Sequence, residues 1–112
     1  MNEAIVVLCA VPLDFDAERL ASELVERALA ACVQIGPGLN SVYRWQGAVE
    51  TADEVPLLIK TSEARYAALE AAIRARHPDA TPEIVAVPVV CGLPDYLAWV
   101  AAETEEDLWS LP

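Results

Sequence analysis

Residues 4–11, AIVVLCAV, form an unbroken apolar run rich in β-branched side chains and closed by Pro12. A run of that length predicts a buried strand. The period then changes. In DFDAERLASELVERALAA, Leu20, Leu24, Ala28 and Ala31 recur every three or four positions, with Glu18, Glu23, Glu26 and Arg27 mostly opposite. That pattern predicts a helix started by Asp14 or Asp16. From Cys32 the chain alternates again. It bends or bulges at Gly36-Pro37-Gly38, reverses at Gln46-Gly47, and returns through AVETADEVPLLIKT. A second helix is expected to be capped by Ser62, faced by Tyr66, Leu69 and Ile73, and stopped by Pro78.

EIVAVPVV reads as a further strand. Pro88 cannot donate to a central ladder and so places that strand at a sheet edge. A short helix near PDYLAWVAAET closes the domain, and residues 104–112 are expected to form a loose tail after a core of about residues 4–103. The order is β-α-β-β-α-β plus a terminal helix. It specifies a single α+β domain over residues 1–112 of the ferredoxin-like split βαβ kind, an antiparallel sheet with helices on one face. Pro56 is the awkward residue. It falls in the strand this topology makes central and needs a bulge, or an N–H position with no partner.

The topology gathers chemistry on one rim. The first strand ends there, the second helix ends there and the last strand starts there. Cys9, Asp14, Asp16, His77, Asp79 and Glu83 therefore become neighbours. His77 is the single histidine of the chain. A thiolate, an imidazole and carboxylates suit a weak or subunit-shared divalent metal site. Arg74 and Arg76 oppose a cation, and the bland role of His77 is to complement the carbonyl end of its helix alongside them. A Cys9–His77 nucleophilic pair is conceivable but has no evident oxyanion loop or third orienting group. Arg19 and Asn40 match the residue types that acylphosphatases of this fold class use, yet the loop PLDFDAER is acidic and would repel a phosphoryl group. No enzymatic activity is expected.

The hairpin points to partners. Each arm has about fourteen residues, about 45 Å if fully extended, against about 26 Å for the first and last strands. The arms overhang the sheet and carry Val42, Tyr43, Trp45 and Val49 into the overhang. A bare apolar edge is a liability. Self-association into a closed ring resolves it, with Tyr43 and Trp45 as anchors.

Composition narrows the partners. The 112 residues carry a formal net charge of −11, with seven Lys and Arg against eighteen Asp and Glu. Nucleic acid and anionic membrane surfaces need a basic patch and are disfavoured. The three cysteines, Cys9, Cys32 and Cys91, lie in apolar runs without a C-x-x-C pair. The odd count fits a reducing cytoplasm, with Cys32 and Cys91 as small core residues. The N-terminal stretch has Glu3, no basic region and too short an apolar run for a signal peptide or a membrane span.

LAACVQIGPGLNSVYRWQGAVE, EVPLLIKT, HPDATPEIVAVPV and GLPDYLAWV together resemble the CutA family, the divalent-ion-tolerance proteins, from about Ile5 to Val100. The resemblance implies a ferredoxin-like subunit in a PII-like homotrimer with the long hairpins exchanged across subunit edges. It also implies a non-enzymatic role in tolerance to copper and other divalent cations. Family metal ligands are a first-strand cysteine and two consecutive histidines before a proline. The cysteine falls on Cys9 and the second histidine on His77, but the first falls on Arg76. The family's HPY is HPD here, with Asp79 as a substitute oxygen donor. Trp45, Glu50 and Lys60 match positions that line the inter-subunit cleft. The alternative is a PII-like signalling module holding a small molecule in that cleft, where Arg44, Glu50 and Lys60 would matter more than His77.

Overall fold

The computed structural model describes residues 3–106. The elements are β1 (Ala4–Pro12), α1 (Ala17–Glu26), β2 (Cys32–Ile35), β3 (Leu39–Trp45), β4 (Ala48–Ser62), α2 (Tyr66–Arg76), β5 (Ile84–Pro88) and α3 (Pro94–Glu103). The sheet is antiparallel, ordered β2-β4-β1-β5, with β3 paired to the outer half of β4. This is the expected α+β arrangement, and β5, with Pro88, is an edge strand.

Alternation along the central strands makes a two-sided sheet. Ile5, Val7, Cys9 and Val11 of β1, with Leu57 and Ile59 of β4, are buried together with Leu20, Leu24, Leu69 and Ile73 of α1 and α2. The other face carries Val6, Leu8, Leu58, Val85 and Val87, brought side by side by the register Val6↔Val87, Leu8↔Val85 and Leu8↔Leu58. Leu58, Val85 and Val87 are exposed, and no element among the described residues is packed closely enough to bury them.

Pro56 is accommodated by a bulge at Gly36-Pro37-Gly38. The register runs Ile35↔Leu57 on one side of the break and Leu39↔Glu54 on the other, so three residues oppose Val55 and Pro56. Gly36 N–H donates to Pro56 O at 3.0 Å, and nothing there asks Pro56 for an N–H. The fit is close: a Cβ on Gly36 would lie 2.9 Å from Pro56 Cγ. Gly36→Ala is therefore expected to destabilise the chain by about 1–3 kcal/mol in urea unfolding, because the stiff proline ring cannot swing aside. The hairpin closes on Gln46 and Gly47, both at positive φ (50° and 84°), the geometry a two-residue turn requires.

Three local expectations are corrected. α1 stops at Glu26, not near Ala31. Ala28 takes φ 56°, and Leu29 and Ala30 N–H both return to Leu24 O, so the chain turns under the core while Ala28 and Ala31 stay buried. Asp16 is the cap, its Oδ1 accepting from Arg19 N–H at 3.1 Å. Ser62 caps nothing. A single 3-10 turn over Glu63–Arg65 leads into α2, and the buried Ser62 hydroxyl lies 3.0 Å from Thr104 Oγ1. Thr104, which also donates to Val100 O at 2.8 Å, is 1% exposed and belongs to the packed body, not to a tail. Residues 107–112 lie outside the described residues.

Candidate functional site

The end of β1, the β1–α1 turn and the end of α2 meet as the topology requires. Pro78 forces the residue before it out of the helical region, and His77 sits at φ −68°, ψ 133° with its N–H still bonded to Ile73 O. That places the imidazole inside the rim. Its Nε2 lies 2.7 Å from Ala10 O, which can only accept, so Nε2 carries the proton. Nδ1 then accepts from the backbone N–H of Asp79 at 3.1 Å. Phe15 stacks on the ring at 6.4 Å with 19° between planes. His77 is a latch: neutral and buried, it ties the 78–83 loop and the end of α2 to β1.

Cys9 lies beside this latch, with Sγ 4.0 Å from the same Ala10 oxygen. Burial, then the nearby Glu83 carboxylate, push its pKa up to about 12. The group is a thiol at neutral pH. Because the folded pKa is raised above the usual 9.0, the stability linked to the thiol is complete below pH 9 and is lost as pH climbs through 12. Two results are expected: Cys9 resists iodoacetamide in the native protein at pH 8, and Cys9→Val flattens the fall in stability between pH 9 and 12.

These residues do not fit a metal as folded. Both imidazole nitrogens are committed to backbone groups, the thiol holds its proton, and Asp79 Oδ2 is 3.9 Å from Nδ1 on the protein surface. Among the described residues no three His, Cys, Asp or Glu side chains converge as a ligand set. The sequence brought Cys9, His77 and Asp79 to one place correctly. What it could not show is that the backbone would claim the donor atoms first. The same facts leave Cys9 and His77 without the free base and thiolate that a nucleophilic pair needs. Arg76 turns to Glu23 Oε1 at 3.1 Å.

Beyond the rim the hairpin overhangs as expected. Pro12 pairs with Glu54, so residues 48–53 of β4 have no β1 partner and only β3 beside them. Val42 and Val49 are about two-thirds exposed, at 66% and 67%, and Tyr43 and Trp45 are also exposed. Between this overhang and the 78–83 loop runs a groove of about 970 Å³, lined among others by Tyr43, Trp45, Glu50, Glu54, Asp79 and Glu83. Asn40 is not available for catalysis there, because its amide donates to Asp53 Oδ1 at 3.2 Å.

One chain does not assemble the expected cleft. Arg44, Trp45 and Glu50 sit at the hairpin tip, whereas Lys60, bonded to Gln34 Oε1, pairs with Val6 and Cys32 near the other end of β4. Glu50 and Lys60 are about 33 Å apart along the strand. Only a second copy could join them. Sequence reasoning also missed that Cys91 is exposed and Cys32 half-buried, and neither is a core residue of the single chain. No helix among the described residues is long and apolar enough to cross a membrane.

Residues 5–103 match the family described as CutA1 divalent ion tolerance protein. A relative from Pectobacterium atrosepticum, named divalent-cation tolerance protein CutA, is 44% identical over 100 residues, 89% of this chain and 91% of that one. The divalent cation tolerance protein (Cut A1) of Thermus thermophilus superposes with a TM-score of 0.88 at 45% identity, covering 91% of this chain and 99% of the other. CutA1 from Oryza sativa does so at 0.89 and 41%, covering 94% and 96%. Sequence and superposed fold agree, and the chain belongs to the CutA1 divalent ion tolerance family.

Proposed function

We propose that this chain serves in divalent-cation tolerance as a non-enzymatic homotrimer. The observation that carries the reading is the bare sheet face of Val6, Leu8, Leu58, Val85 and Val87, continuous in the same sheet with an overhanging hairpin that exposes Val42, Tyr43, Trp45 and Val49. Two apolar surfaces of that extent on a 12.1 kDa chain call for burial, and copies of the chain in a closed ring supply it. In such a ring Lys60 of one copy can approach Arg44, Trp45 and Glu50 of the next. The three unpaired thiols support a reducing, cytoplasmic setting.

Contact with copper or another divalent cation is weak in this reading. It is supported by the net charge of −11 and by the carboxylates Glu50, Glu54, Asp79 and Glu83 along the groove, which attract cations without chelating them. The unreactive state of Cys9 and His77 supports a binding role over catalysis. The deciding experiment is light scattering on the whole chain. A mass of three times 12.1 kDa is expected, and a stable species of one chain mass rejects the assembly.

A further inference from the structure

A second depression lies on the helix side of the sheet, away from the bare face, and an assembly through that face leaves it open. It has a volume of about 400 Å³ and is lined by Phe15, Asp16, Arg19, Leu20, Glu23 and Arg76. That size suits a small organic ligand. Its apolar part is Leu20, buried in the core, and the partly exposed Phe15, whose ring is held by stacking on His77.

The charges are ordered. Glu23 has both oxygens occupied, Oε1 by Arg76 Nε at 3.1 Å and Oε2 by Arg27 Nη1 at 3.0 Å. The two guanidiniums hold its carboxyl below the usual range, so it stays ionised. Anchored through Nε, Arg76 keeps both Nη groups without a partner among the described residues, and the Arg19 guanidinium has none either. Asp16 spends one oxygen on the N–H of Arg19. Two incompletely used guanidiniums thus face the pocket in a chain whose net charge is −11.

We propose that this pocket binds a small monoanionic carboxylate with a flat apolar body, the carboxylate on Arg19 and Arg76 and the body on Phe15. Guanidinium forks match a carboxylate geometrically. A phosphate dianion is the poorer fit, because Asp16 and Glu23 also line the site and the whole chain repels added negative charge. Holding Arg76 through Glu23 reduces the ordering that binding requires. The site is independent of the role in cation tolerance.

The test uses benzoate as the probe on the full-length protein, followed by amide shifts in a heteronuclear NMR titration. Saturable shifts confined to residues 15–20, 23 and 76, with Kd on the order of 1 mM, are expected. Arg19→Gln removes no hydrogen bond made by that side chain among the described residues, so the fold is retained. It should weaken binding about tenfold. Arg74→Gln, an exposed arginine outside the pocket, should leave the Kd unchanged, and neutral benzamide should bind at least tenfold more weakly. Equal losses in Arg19→Gln and Arg74→Gln, shifts scattered away from the pocket, or inorganic phosphate binding more tightly than benzoate would each overturn the proposal.

Discussion

In the proposed homotrimer, Leu58→Asp is expected to reduce the solution mass from three chains to one. Leu58 lies on central strand β4 in the middle of the bare face, in register with Leu8 on one side and Gln34 on the other. It is 41% exposed in the single chain, so aspartate there is well solvated in a monomer and costs the fold little. In an assembly sealed through this face the same carboxylate is buried without a partner in every copy, at about 3 kcal/mol or more per copy. Val25→Asp is the control. Val25 is 44% exposed on α1, on the opposite side of the sheet, and its replacement should leave the mass unchanged. If light scattering finds Leu58→Asp still trimeric, the bare face is not the interface. If the variant is monomeric only on unfolding, circular dichroism will show it, and assembly and folding are then one event.

The second large effect concerns His77. His77→Ala should destabilise the chain by about 2–4 kcal/mol at fixed chain concentration, while a copper titration of the folded variant matches that of the unaltered protein. The ring's removal leaves Ala10 O and the Asp79 N–H without their partners and a void against Phe15. Because Ala10 adjoins Cys9, the loss is felt in the wall of the core and not in a loop alone. The contrary result, unchanged stability with copper binding abolished, would make the imidazole a ligand and refute the latch.

How far the sequence reaches is seen by comparing particular elements. β1 and β5 were legible because apolar runs next to prolines leave few alternatives, and the edge position of β5 follows from Pro88 lacking an N–H. The bulge was legible as Gly36-Pro37-Gly38, and its purpose became plain only when the register set it against Pro56. The end of α1 was not legible. ERALAA contains no glycine or proline, and Ala28 adopts a left-handed conformation because the return to β2 demands it, not because alanine favours it.

At the rim, proximity was readable and chemistry was not. The order of strands and helices suffices to bring Cys9, His77 and Asp79 together. Whether a side chain is free to bind depends on which backbone groups lie within about 3 Å of it. Two such distances, 2.7 Å from Nε2 to Ala10 O and 3.1 Å from Nδ1 to Asp79 N, turn a candidate ligand set into a structural tie.

The amino-acid sequence alone determined the α+β topology, the oversized hairpin and the rim on which titratable groups collect, since periodicity, proline placement and strand length are local properties of the chain. Tertiary structure alone decided that His77 is neutral and locked, that Cys9 keeps its proton, and that one sheet face is left bare. Those outcomes depend on dehydration and on distances between residues up to 67 positions apart. Hydrogen-bond competition of that kind is settled only when the chain is packed.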